Sequence, residues 1–166
     1  MTRTIVLLGL MLVGSVPLAA QDVGDVVNIM GTIIVNGVDD EPWPLSDELV
    51  NAQRLINIYV AANQPSTAVE IAPVTWGGEC RVEVSGTARI VDSDTVEISL
   101  EARLYEGTSE STDDLADREG VVFTVPINGD PANREVKLYN AETGGGDTAD
   151  VLITVFVRRT SPNPFP

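Results

Sequence analysis

The chain has 166 residues, 43 % of them hydrophobic, with 25 Asp and Glu against 10 Lys and Arg, one cysteine and no histidine. Without histidine there is no Ser-His-Asp or Cys-His catalytic group and no imidazole metal ligand. A single cysteine forms neither an intrachain disulfide nor a cysteine-rich zinc site. The formal charge of −15 argues against binding to nucleic acid or to an anionic membrane surface. We therefore expect a protein that is not an enzyme.

The first twenty residues have the three-part organisation of a secretory signal peptide. Arg3 supplies the positive charge, residues 5–13 are almost all apolar, and Ala19 and Ala20 are small residues of the kind found at cleavage sites. The apolar run is shorter than the roughly 20 residues of a membrane span. Residues 1–20 are thus predicted to be removed after Ala20, which leaves a secreted, periplasmic or cell-surface protein.

Segments with an apolar residue at every second position follow one another along the rest of the chain, and this alternation indicates half-buried strands. They cover 26–36, 68–73, 79–90, 95–105, 121–125, 135–139 and 148–158. Segment 47–61 is ambiguous, and we expect a short helix or turn at 47–53 followed by a strand at 55–61. Seven or eight short strands predict an all-β fold, an antiparallel β-sandwich of the Ig-like or C2-like kind over 21–159. The proline-rich tail 160–166 is expected to be disordered.

The strand predicted at 148–158 differs from the others because it is apolar on both sides. Val151, Ile153, Val155 and Val157 line one side, while Leu152 and Phe156 add apolar bulk to the other. A strand of this kind is expected at the centre of a sheet, or covered on both faces.

The two strands in the middle of the chain form a hairpin whose register can be predicted. Residues paired across a hairpin point to the same face, so a three-residue turn at 92–94 sets Val91 opposite Thr95 and excludes a two-residue turn. Arg89 then lies opposite Glu97, with charges of opposite sign. The same register predicts the pairs Arg81–Tyr105, Glu83–Arg103, Val84–Ala102, Gly86–Leu100, Thr87–Ser99 and Ala88–Ile98.

Cys80 lies on the apolar face of this hairpin, where a thiol behaves as a small hydrophobic side chain. We expect it to be buried and unreactive. The alternative is a disulfide with a second chain, because Cys80 is close to a strand end beside Gly77 and Gly78.

Two acidic loops contain the candidate metal ligands. Loop 106–119 holds six carboxylates, and loop 141–150 combines three consecutive glycines with Asp147 and Asp150. Calcium accepts 6–8 oxygen ligands in irregular geometry, although the spacing here is not that of an EF-hand. If calcium binds, the expected ligands are Asp113, Asp114 and Asp117, joined by Asp147; the alternative is a solvated acidic loop. Trp43 and Trp76 are the candidate residues for binding a partner.

Both tryptophans lie in irregular sequence beside proline or glycine. An exposed Trp stacks on a glycan ring or fills a pocket of a protein partner. The alternative for Trp43 and Trp76 is that each caps one end of the core.

The first predicted strand adds a further possibility. Residues 27–35, which alternate around Gly31, resemble the N-terminal extension with which pilins complete the sheet of a neighbouring subunit, although the pilin disulfide is missing. The resemblance implies self-association through this strand. Three hypotheses follow: a non-catalytic secreted or envelope-associated interaction module for a protein or glycan partner, a calcium-stabilised domain, and a self-assembling surface or fibre subunit.

Overall fold

The architecture is all-β. The computed structural model describes residues 25–40, 46–140 and 146–160, and the expectations for residues 1–20, Trp43 and the tail beyond Thr160 lie outside them. The described residues form eight strands: β1 (Val26–Asp39), β2 (Glu48–Ala61), β3 (Thr67–Trp76), β4 (Cys80–Asp92), β5 (Thr95–Tyr105), β6 (Leu115–Pro126), β7 (Ala132–Tyr139) and β8 (Thr148–Arg159). All pair antiparallel in two four-stranded sheets, here named sheet A (β2-β1-β8-β7) and sheet B (β3-β4-β5-β6). The predicted antiparallel, sandwich-like arrangement is confirmed.

The strand order is that of an up-and-down meander. Each strand lies beside the strands that precede and follow it, the chain passes between the sheets at β2–β3 and β6–β7, and β8 returns to pair with β1. An Ig-like sandwich instead interleaves distant strands through Greek-key connections. The predicted Ig-like or C2-like strand order is therefore wrong. The alternation of apolar residues shows where the strands lie, but not which strands are neighbours in a sheet.

The helix or turn expected at 47–53 is also wrong. Residues Glu48–Ala61 form one strand, which pairs with β1 along its whole length, from Val26 opposite Ala61 to Asp39 opposite Glu48. This ladder pairs β2 with β1 residue by residue, and the inward side chains Ile56 and Val60 are buried in the core. Such non-local gains outweigh the weak helical preference of the segment.

The core lies between the two sheets, and the inward positions of all eight strands of the described chain contribute to it. Its largest fully buried side chains include Ile29, Ile33, Leu104, Leu138 and Ile153. Burial of each such side chain contributes about 1.5–3 kcal/mol. The fold is therefore stabilised mainly by apolar packing between the sheets.

The register of the β4–β5 hairpin is confirmed over most of its length. Arg81–Tyr105, Glu83–Arg103, Val84–Ala102, Gly86–Leu100, Thr87–Ser99, Ala88–Ile98 and Arg89–Glu97 are all paired as predicted. The turn differs, because Asp92 pairs with Thr95 and the register shifts between Ile90 and Asp92. Val91 is thus an extra residue in the strand, and such a bulge restores the match of faces that a two-residue turn would otherwise break.

Polar side chains join the two sheets at both edges. Arg54 of β2 donates from Nε to the carbonyl oxygen of Ala72 (3.2 Å) and from Nη2 to that of Pro73 (2.8 Å), where the β3–β4 register is irregular. At the opposite edge, Asp117 of β6 accepts a hydrogen bond from the backbone N–H of Tyr139 on β7 (2.9 Å). These contacts supply partners to backbone groups that the sheet ladders leave unpaired.

Candidate functional site

The buried polar side chains gather at one end of the sandwich, where β1 ends and β4 begins. Asp39, Cys80 and Asp147 are 3 %, 0 % and 7 % exposed, and one potential ligand atom of each lies within 4.8 Å of the others. Among the described residues, these three form the only group of three or more potential metal ligands so close together. We call them the acidic cluster.

Backbone contacts fix the acidic cluster in place. Asp147 accepts a hydrogen bond at Oδ1 from the Asp40 N–H (2.9 Å), and its carbonyl oxygen accepts one from the Asn140 N–H (2.9 Å). Asp39 packs against Gly77, whose backbone has a φ of +65°, a value that favours glycine. A Cβ added at Gly77 would come within 1.6 Å of Asp39 Oδ2. Glycine is therefore required at position 77 by both conformation and space.

The surroundings of Cys80 suppress its reactivity. Burial raises the pKa of the thiol above its ordinary value, and the negative charges of Asp147 and Asp39 raise it further. The protonated thiol is a poor nucleophile, and its complete burial prevents a disulfide with another chain in the folded state. The expected burial of Cys80 is confirmed.

The donor set of the acidic cluster differs from the one expected for calcium. Two carboxylates and one sulfur suit zinc or another transition ion better than calcium, which prefers oxygen alone. Such an ion would have to displace the thiol proton of Cys80, because the thiolate is the form that binds metal.

The structure separates the four predicted calcium ligands. Asp113 and Asp114 lie in the loop between β5 and β6. Because β6 begins at Leu115, this loop is shorter than the predicted 106–119. Asp117 belongs to β6, and its carboxylate accepts hydrogen bonds from the N–H groups of Arg118 (2.8 Å) and Tyr139 (2.9 Å). Asp147 lies in the acidic cluster. In the described part of the chain, these four carboxylates do not form one group of metal ligands.

Trp76 lies inside the protein and not on its surface. Its side chain is 6 % exposed, it is the cross-strand partner of Cys80, and its ring covers Gly37. The prediction that Trp76 is exposed and can bind a glycan or a protein partner is therefore wrong. The ring instead caps one end of the core.

The outer surface of sheet A carries few charged side chains, although the chain as a whole is strongly acidic. The outward side chains of β1 and β2 are all uncharged: Val26, Asn28, Met30, Thr32, Ile34, Asn36 and Val38, then Leu49, Asn51, Gln53, Leu55, Asn57 and Tyr59. Outward charges occur only on β7 and β8, where Glu135 and Asp150 balance Lys137 and Arg158. We call this surface the neutral face.

Large apolar side chains are concentrated on the neutral face. Among the described residues, eight large hydrophobic side chains are exposed, and five of them belong to this face: Leu49 (76 %), Leu55 (76 %), Tyr59 (59 %), Tyr139 (55 %) and Leu152 (37 %). The pairing of Thr32 with both Leu55 and Thr154 places Leu55 diagonally next to Met30 and Ile34. The sequence analysis missed this surface, although the uncharged residues between the inward positions of β1 could have indicated it.

The outer surface of sheet B has a different character. Arg89 pairs with Glu97 (2.8 Å) and Arg81 with Glu83 (2.9 Å), and hydrogen bonding to Glu97 raises the pKa of Arg89. Ion pairs therefore run across the outer surface of sheet B, and Arg89–Glu97 is the more exposed of these two pairs. The two outer surfaces of the sandwich are thus chemically distinct.

The strand-donation interpretation of residues 27–35 conflicts with the topology. β1 pairs with β2 on one side and with β8 on the other, so neither of its edges is open. The pilin resemblance is therefore misleading about how this strand pairs.

Comparisons with known proteins give no functional assignment. No protein family and no curated protein matches the chain. Two crystal structures of Ail, the attachment invasion locus protein of Yersinia pestis, one of them in complex with the heparin analogue sucrose octasulfate, match at 7 % and 5 % identity and TM-scores of 0.25 and 0.20. Each match covers 81 % of this chain and 99 % of Ail. A likeness this low carries no argument about fold or function. Among the described residues, no helix is long and apolar enough to cross a membrane.

Proposed function

We propose that the protein is a non-catalytic interaction module that is secreted or associated with the cell envelope. The observation that carries the proposal is the neutral face, a whole sheet surface that is rich in exposed apolar side chains and balanced in charge. A solvated surface on a chain with a net charge of −15 would instead be expected to carry charges throughout.

The size of the neutral face supports this proposal. Its four strands contain 14, 14, 12 and 8 residues. With strands about 4.8 Å apart and a rise of about 3.3 Å per residue, this sheet presents a surface of about 750 Å². Part of this area is apolar, because five large hydrophobic side chains are exposed there, and apolar patches of a few hundred Å² on monomeric proteins are often functional.

The location and the absence of catalysis rest on the sequence. The signal-like residues 1–20 support export, and the lack of histidine removes the commonest acid–base catalyst. The acidic cluster supports a structural role for its own residues, because the Cys80 thiol is buried and its pKa is raised.

Site-specific photo-crosslinking in the producing cells tests the proposed function. A benzophenone amino acid replaces Leu55 on the neutral face or, as a matched control, Val122 on sheet B, which is similarly exposed at 65 % against 76 %. We expect crosslinked products at position 55 and none at position 122. If neither position gives a product, or both do so equally, the neutral face is not an interaction surface.

A further inference from the structure

We infer that the neutral face binds a second copy of the same chain and forms a dimer with two-fold symmetry. This inference rests on the proposed function and names its partner. It follows from the charge distribution, the polar groups of the neutral face, the area available and the contrast with sheet B.

The charge distribution favours face-to-face contact between two copies. Much of the excess negative charge lies in turns and loops at the ends of the sandwich, as with Asp92 and Asp94 in one turn and Asp113 and Asp114 in a loop. Two copies therefore repel each other most strongly when these ends meet. The neutral face has balanced charge, so two neutral faces can meet without that penalty.

The polar groups of the neutral face are suited to an identical partner. They are mainly amides and hydroxyls, and the amide of Asn51 already donates to Asn36 on the neighbouring strand. An Asn or Gln side chain contains both donors and an acceptor, so it pairs with its own copy across a two-fold axis. A surface of like charges lacks this self-complementarity.

Apolar side chains from three strands surround the Thr32–Thr154 pair at the centre of the neutral face. Ile34 pairs with Leu152 and Met30 with Phe156, while Leu55 lies between them diagonally on β2. Packed against a second copy, these side chains would meet the same set of residues, as two-fold symmetry requires.

The available area is sufficient for a specific dimer. A standard interface buries about 800 Å² of accessible surface on each partner, so a dimer of that size would use almost the whole neutral face, whose planar area is about 750 Å². The outer surface of sheet B has a similar extent, but docking there would strip water from ion pairs such as Arg89–Glu97. The ion pairs of the neutral face, Lys137 with Glu135 and with Asp150, lie on β7 and β8, so contact through β1 and β2 desolvates no outward charge.

Sedimentation velocity of the purified protein tests the inference, with the chain produced and processed in its native cell and studied from low to high micromolar concentration. We expect a reversible monomer–dimer equilibrium. Leu55→Glu should weaken dimerisation about 100-fold, because the substitution acts twice across the symmetry axis. Val122→Glu is the matched control, since it adds the same charge at an exposed strand position of sheet B, and it should leave the dissociation constant unchanged.

The outcomes separate this inference from the proposed function. A protein that stays monomeric at every concentration overturns the dimer, as does an equilibrium that Leu55→Glu leaves unchanged or that Val122→Glu weakens equally. If the purified protein is monomeric while position 55 crosslinks in cells to a chain of different mass, the interaction module stands and the dimer fails. If crosslinking at position 55 is also absent, both proposals fail.

Discussion

The buried thiol of Cys80 should make the protein less stable as the pH rises. Burial and the neighbouring charges of Asp147 and Asp39 raise the pKa of Cys80 in the folded state. In the unfolded chain the thiol ionises near its ordinary pKa of about 8.5. A raised folded pKa means that the contribution to stability is complete below pH 8 and is lost as the pH rises toward the folded value.

The size of this effect follows from proton linkage. While the folded thiol stays protonated, ionisation in the unfolded state lowers the free energy of unfolding by about 0.2 kcal/mol at pH 8 and about 2 kcal/mol at pH 10. With a typical urea dependence of 1–3 kcal/mol per molar, the unfolding midpoint should fall by about 1 M over this range.

Urea unfolding of the wild type and Cys80→Ala from pH 7 to pH 10 measures the effect. The alanine variant has a stability offset from lost packing that does not change with pH, and all other titrating groups are shared. The difference between the two curves therefore isolates the thiol, provided that a reducing agent keeps the unfolded cysteine from oxidising. Parallel curves up to pH 10 would refute the reasoning, because they would mean that the folded protein ionises Cys80 as easily as the unfolded chain does.

Three further substitutions test the supports of the fold by urea unfolding. Gly77→Ala should cost more than Gly78→Ala, since both positions have positive φ but only a Cβ at Gly77 meets Asp39; equal losses would contradict that contact. Arg54→Met should lower the free energy of unfolding by about 1–2 kcal/mol, because the hydrogen bonds to β3 are lost. An unchanged unfolding midpoint would show that these hydrogen bonds do not stabilise the fold. Asp117→Ala should cost about 1–2 kcal/mol equally in calcium and in EDTA, and a calcium-dependent loss would instead support a calcium site.

Local alternation was sufficient to predict most strands and most of one register. In the β4–β5 hairpin, the match of faces together with a turn near 92–94 predicted the pairing of residues along most of the two strands. The predicted turn was wrong because two kinds of turn bring matching faces together: a three-residue loop, and a two-residue loop with a bulge in one strand. Alternation cannot distinguish them, and the structure uses the bulge at Val91.

Features that depend on distant pairing could not be predicted in the same way. Residues 48–53 form a strand because β1 supplies a partner along their whole length. The acidic cluster likewise joins Asp39, Cys80 and Asp147 from three separate parts of the chain. In the sequence Asp147 stood among other acidic residues, and only the path of the two sheets decides which carboxylates become neighbours.

Strand β8, which is apolar on both of its sides, gives a sequence-based argument for the proposed dimer. Its apolar character predicted a central strand or one covered on both faces, and β8 does lie between β1 and β7. A central position explains the paired edges of β8 but not its outward side chains, because neighbours in the sheet do not cover them. Leu152 remains 37 % exposed, and Leu55 on the same surface is 76 % exposed. A covering partner would account for apolar residues at positions where a sandwich alone requires none.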